Sequence, residues 1–204
     1  SEKDIKNITS NFSNIIIDNC NAFFSKPIKN AYNCYSTRKF FGVSDGGYLI
    51  RENLNIKETL ESDSSYDGFN HLIKQIELGT NQGYEDNLKN EKRISNKYLA
   101  MSKLTRYLLE RINYNEIQDI RKNNLLRTHN NLKEFNKFEV NIESNTHLYY
   151  PLLIENDNLR NKLIQEKIYV PFLWQHILEE LPKNTIEYYL AKYTILLPID
   201  QRYT

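Results

Sequence analysis

The sequence predicts a mixed α/β chain, and three observations predict it. Short β-branched and aromatic runs bounded by turn residues fill the first fifty positions. A helical period of three and four governs the stretch from about Ser65 to Phe135. The last third alternates short strands with short helices. A break near Asn113 divides the chain into 1–112 and 113–204, and the second part reads as a small α/β domain.

Taken in order, Asn14-Ile15-Ile16-Ile17-Asp18 is short, apolar and β-branched, as expected of a parallel strand buried on both faces and ending in a carboxylate. Ala31 to Tyr35 is a second strand, and Gly47 to Ile50 a third after the turn Ser44-Asp45-Gly46. Met101, Leu104, Leu108 and Ile112 lie on one helical stripe; Ile117, Ile120, Leu125 and Leu132 continue such a face. Breaks fall near Gly79, Gly83 and Asn113. Then come a strand at His147 to Ile154, a helix at Leu159 to Gln165 and a strand at Ile168 to Val170. Helices at Trp174 to Leu181 and Thr185 to Tyr193 and a strand at Ile195 to Pro198 complete the chain. Asn184 with Glu187 reads as a capping box for the last helix.

Composition excludes several classes. With 204 residues, 40% hydrophobic, the chain has enough apolar material for one or two cored domains. Its formal net charge of +1 provides no global field for nucleic acid, an anionic membrane or acidic substrates. Cys20 and Cys34 are too few for a disulfide framework, which makes a reducing cytoplasm the expected location. No apolar run reaches the roughly 20 residues of a membrane span. His71, His129, His147 and His176 share no ligand spacing, so no metal site is expected.

The chemistry concentrates in Cys34-Tyr35-Ser36-Thr37-Arg38-Lys39-Phe40-Phe41-Gly42-Val43-Ser44-Asp45-Gly46-Gly47. A lysine packed between Arg38 and two phenylalanines would have its ammonium form disfavoured by desolvation and like charge, which makes the amine nucleophilic and suited to Schiff-base formation. The plainer reading is a solvated basic pair beside a glycine turn. Asp18 shifts the balance: a carboxylate at the end of a buried strand needs a partner, and a protonated pyridine nitrogen is one. Strand-end Asp followed by Lys about twenty residues later is a cofactor pattern.

These residues resemble the fold-type I pyridoxal-phosphate enzymes, specifically the DegT/StrS-like sugar aminotransferases of bacterial surface-polysaccharide gene clusters. The resemblance runs from Asn14 to Tyr203. Ile15 to Phe23 is similar to the family's strand and Asp-x-Ala-x-Ala segment, with Cys20 where alanine is usual. Lys39 stands seven residues before Gly46, the family's interval between Schiff-base lysine and glycine pair. Further blocks are Arg38 to Leu49, Met101 to Thr105, Lys167 to Pro171 and Leu197 to Tyr203. The resemblance implies the C-terminal part of a fold-type I large domain with its connecting helices in 1–112, followed by the small C-terminal domain. It implies pyridoxal 5'-phosphate as cofactor, Lys39 as the catalytic Schiff-base residue, Asp18 on the pyridine nitrogen and Asn21 on the ring hydroxyl. Ser36 stands nearest to the family's phosphate-holding hydroxyl, whose usual position is occupied here by Cys34. The implied reaction moves an amino group from an amino-acid donor, glutamate, to a nucleotide-linked keto sugar. Family dehydratases carry His at the lysine position, so Lys39 favours amino transfer.

The resemblance also implies a homodimer, and a phosphate cup and ring-stacking aromatic in an N-terminal half that precedes this segment. The competing expectation is a non-catalytic binding or assembly module on the same fold. Among other aromatics, Phe172, Trp174, Tyr188, Tyr189 and Tyr193 read as small-domain core in preference to a sugar platform. Arg202 is either a diphosphate ligand or a terminal surface residue.

Overall fold

The protein is described by a computed structural model covering residues 7–8, 11–54, 60–94, 98–143 and 147–203. It is mixed α/β with small sheets and divides into two compact units, Ser1–Asn113 and Tyr114–Thr204.

In the first unit, β1 (Ile15–Asp18), β2 (Ala31–Ser36) and β3 (Gly47–Ile50) form one sheet in that order. β1 runs parallel to β2, with Ile15 opposite Ala31 and Asp18 opposite Cys34; β3 is antiparallel to β2, with Ser36 opposite Gly47. The period-2 alternation turns Ala31, Asn33 and Tyr35 inward and leaves Tyr32, Cys34 and Ser36 half-buried on the other face. Asn33 is fully buried because its amide closes the approach to the strand, accepting from Ile28 N at 2.8 Å and donating to Ile28 O at 2.9 Å. Phe23 packs against Tyr35, Phe40 and Phe41, meeting Phe41 edge to face at 4.8 Å. One expectation fails here: β1 is not buried on both faces. Ile16 is 70% exposed, because β1 is an edge strand and no described element covers that face of the sheet.

The helices α1 (Asn70–Leu78), α2 (Tyr84–Ile94) and α3 (Lys103–Leu109) follow, with a 3-10 turn at Thr80–Gly83 between the first two. Gly79, at φ 95°, takes a left-handed conformation that ends α1. Ser102 caps α3, its Oγ accepting from Thr105 N at 3.2 Å. The buried face of α3 is Thr105 and Leu109, whereas Leu104 is exposed, so the stripe expected through Leu104 and Leu108 is rotated by one residue. A polar contact causes it: Thr105 has a buried carboxylate to meet, described below.

The second unit opens with α4 (Tyr114–Leu132) and contains β4 (Tyr149–Leu153), α5 (Leu159–Gln165), α6 (Ile177–Glu180), α7 (Ile186–Tyr193) and β5 (Thr194–Pro198). β4 and β5 pair antiparallel from Tyr149 opposite Pro198 to Leu153 opposite Thr194. Leu125, Val140, Tyr150, Leu152, Val170, Ile195 and Ile199 form the core. Arg121 is buried on α4, and its guanidinium donates to the carbonyls of Leu148 (2.8 Å) and His147 (3.1 Å), which lead into β4.

Three local expectations are corrected. Ile168 to Val170 forms no strand, since the chain leaves α5 through a left-handed turn at Lys167 and finds no ladder partner. The helix expected from Trp174 begins only at Ile177, because Trp174 itself is left-handed at φ 53°. The cap of α7 is Thr185, accepting from Tyr188 N at 3.3 Å, one residue after Asn184.

Candidate functional site

Parallel pairing of β1 and β2 brings Asp18 and Cys34 side by side, and β2 then leads through Thr37 to Lys39 at the same end of the sheet. The loop that carries Lys39 is closed on itself. Phe40 N and Phe41 N both donate to Thr37 O, at 3.1 and 3.0 Å, and Thr37 Oγ1 lies at 3.0 Å from Asp45 O and 2.9 Å from Gly46 O. Gly46 at φ 95° and Gly47, where a β-carbon would stand 2.8 Å from Tyr35 O, let the chain turn back into β3.

Asp45 anchors this loop. It is 3% exposed and makes no ion pair among the described residues; Oδ1 accepts from Ser102 N at 2.9 Å, and Oδ2 accepts from Ser102 Oγ at 2.8 Å, Thr105 Oγ1 at 2.9 Å and Ser44 Oγ at 3.3 Å. A buried carboxylate is tolerated where several donors converge on it, and here the first turn of α3 provides most of them. Asn90 on α2 adds a bond to Ser44 O at 2.7 Å.

On this mount Lys39 Nζ donates to Asn21 Oδ1 at 2.9 Å. Asp18 is exposed at the end of β1, and hydrogen bonds from the Cys20 thiol and from Cys20 N (2.8 Å) hold its carboxyl below the usual carboxylate range; the nearby Lys39 ammonium adds to the effect. Burial and the Asp18 carboxylate together push the Cys20 thiol up to about 11, which keeps it protonated and un-nucleophilic at neutral pH. Ser36 is half-buried on β2 opposite Gly47.

Asp18, Asn21 and Lys39 thus meet at one sheet edge, although the environment expected around the lysine is not found. Phe40 and Phe41 are buried, while Lys39 itself is exposed, and Arg38 is ion-paired with Glu91. The sequence reading missed Asp45 as the anchor; its available signal was the Ser102-x-x-Thr105 cap, which sequence spacing alone does not connect to a carboxylate 57 residues away.

A cavity of about 460 Å³ in the first unit lies outside this cluster. Its lining includes Arg38 and Arg93, each already bound by a carboxylate: Arg38 by Glu91, and Arg93 by Asp63 at 2.7 Å. Among the described residues no helix is long and apolar enough to cross a membrane, and no group of three or more His, Cys, Asp or Glu is arranged to hold a metal. In the second unit Arg202 is forked onto Asp200, Nε to Oδ1 at 2.8 Å and Nη2 to Oδ2 at 2.9 Å. Tyr189 donates to Glu155 at 2.7 Å, and Trp174 is 65% exposed, against the expectation that it is core.

No family model, curated protein or solved structure matches the chain.

Proposed function

We propose that the chain takes part in pyridoxal-phosphate-dependent amino transfer from an amino-acid donor, glutamate by the resemblance, to a nucleotide-linked keto sugar in surface-polysaccharide synthesis. The observation that carries the proposal is the convergence of Lys39 Nζ on Asn21 Oδ1, at 2.9 Å, at the same sheet edge as Asp18. Open α/β sheets bind ligands at such edges.

The residues fit the cofactor in charge and in donor type. Asp18, accessible and held ionised, suits a protonated pyridine nitrogen. Asn21 keeps an amide N–H for the ring oxygen while its carbonyl orients the lysine. Ser36 supplies a hydroxyl for the phosphate. Pyridoxal phosphate, when bound, supplies an electron sink conjugated to the carbon that bears the migrating nitrogen. Lys39 Nζ would act as general base and general acid, moving a proton between the cofactor carbon and the substrate carbon, out of the donor in the first half of the exchange and into the acceptor in the second. Asp18 stays charged throughout and Asn21 limits the arc through which the amine swings.

The test is optical and kinetic. The full-length protein incubated with the cofactor should turn yellow, and Lys39→Ala should abolish both colour and transfer. Lys39→Arg should also fail, because guanidinium does not deprotonate at working pH. Transfer retained by either variant, or a protein that stays colourless in excess cofactor, overturns the proposal in favour of a binding module.

A further inference from the structure

We infer that the cavity between the start of β2 and the turn after β3 is a binding site for a small organic oxyanion, a phosphate ester or a carboxylate, held by Arg51. The inference is independent of the function proposed above, because this cavity lies at the opposite end of β2 from Lys39.

The β-ladder builds the site. Asn33 stands opposite Ile50 in the antiparallel pair, so one step further out Tyr32 faces Arg51. The Arg51 guanidinium carbon lies over the Tyr32 ring, 4.0 Å from its centre. Beyond Arg51 the chain turns, with Leu54 N donating to Arg51 O at 3.4 Å and Asn53 left-handed at φ 58°. Asn30, left-handed at φ 61°, leads into β2 on the other side of the same space. The open cavity has a volume of about 460 Å³, within the range of small-molecule sites, and is lined by Asn30, Tyr32, Arg51, Glu52, Asn53 and Leu54.

The ligand chemistry follows from what the arginine leaves unused. A guanidinium over an aromatic ring is attracted through the face of the ring and needs none of its N–H donors for that contact. The other buried or half-buried arginines all bind protein oxygens: Arg38 on Glu91, Arg93 on Asp63, Arg121 on Leu148 O and Arg160 on Thr194 O. Among the described residues no hydrogen bond or ion pair occupies the Arg51 donors, although the side chain is half-buried. Glu52, the carboxylate beside it, pairs with Lys29 at 3.7 Å, which leaves the guanidinium as the uncompensated charge of the cavity.

Five donors in a rigid fork on a permanent positive charge match two oxygens of a phosphate or a carboxylate. The amides of Asn30 and Asn53 line the same space and add uncharged donors. The Tyr32 ring and Leu54 offer apolar surface to an organic body, which a bare inorganic ion would not cover.

The test reads Arg51 itself. In the isotope-labelled full-length protein, the Arg51 Nε–Hε and Asn53 amide signals are followed by magnetic resonance through titrations with glycerol phosphate and with propionate. Ionic strength is held constant, and sodium chloride is the control. At least one of the two probes should shift both signals saturably, and chloride should not. A response to glycerol phosphate alone identifies a phosphate ester, and a response to propionate alone a carboxylate. Arg51→Lys keeps the charge but loses the fork, so, read on the Asn53 amide, it should weaken the responding probe about 10-fold. Tyr32→Leu, which removes the ring under the guanidinium, should weaken it about 3-fold. Ser36→Ala, at the other end of β2, should change nothing. No saturable shift from either probe, an equal response to chloride, undiminished affinity in Arg51→Lys, or loss of the response in Ser36→Ala would each overturn the inference.

Discussion

Replacing Asp45 by alanine should selectively unfasten the first unit. The variant strands four buried donors: Ser102 N, Ser102 Oγ and Thr105 Oγ1 within 2.9 Å of the lost oxygens, and Ser44 Oγ at 3.3 Å. Each orphaned donor costs about 1–3 kcal/mol, and water entering the space vacated by the carboxylate recovers part of that, leaving a loss of about 3–5 kcal/mol. A domain holds about 5–15 kcal/mol in all, so the fraction is large. With a urea slope of about 2 kcal/mol per molar, the midpoint should fall by about 2 M. Because Trp174 reports the second unit, urea melts should be followed by hydrogen exchange on peptides spanning residues 31–50 and 102–109, with the 149–153 strand as the internal standard. Asp45→Asn, which retains one acceptor and lets the hydroxyls reverse, should lose less than half as much. Unchanged protection in the first unit of Asp45→Ala would refute the reasoning that an uncharged donor set holds this carboxylate in place.

Lys167→Gly removes a side chain from a left-handed position and should stabilise the second unit by about 1 kcal/mol in urea melts; a destabilised variant would show that the lysine side chain contributes more than its backbone strain costs. Asp200 is partly desolvated, which raises its pKa, yet the Arg202 hydrogen bonds and the charges of Arg202 and Arg121 hold it below the usual value. Its stabilisation is therefore complete above about pH 3.9 and lost as pH falls through the lower folded value, and Asp200→Asn should flatten the acid limb of the second unit's melting profile. His71 has the same sign for a different reason: burial lowers its pKa, the neutral ring is the folded form, and stability of the first unit should decline as pH drops below about 6.5. Calorimetric scans at pH 7 and pH 5 of the parent and His71→Gln should differ in slope; parallel curves would remove the histidine from the account.

Much of the secondary structure was legible because its signals are local. The β-branched run before Asp18, the turn before Gly47, the glycines at 79 and 83 and the boundary before Tyr114 all act within a few residues. What escaped was set by partners distant in sequence or by the backbone. The identity of the inward face of α3 depends on Asp45, which sits in a loop that precedes the helix by dozens of residues. Ile168 to Val170 has a strand's composition and lacks a strand's neighbour, a property no local pattern contains. At the candidate site Asp18 and Lys39 could be chosen from chemistry and Asn21 only through the family resemblance, but not the lysine's exposure: two following aromatics are equally consistent with a ring-packed amine and with rings that turn inward and leave it in solvent. Trp174 reads as core by helical spacing, but the helix begins only at Ile177, so that spacing does not apply and the side chain is left exposed.

The closed loop beneath Lys39 separates reach from anchorage. With Thr37 tied to Asp45 and Gly46, and Phe40 and Phe41 tied back to Thr37, the main chain has little freedom, so the amine explores space through its own side-chain torsions and little else. A substitution at position 39 then changes the length and chemistry of the tool without moving its base, whereas a substitution at Ser102 or Thr105, far along the chain, tilts the base and leaves the tool intact. Drift in α3 could therefore retune the aim of the lysine while every residue near it in sequence stays the same.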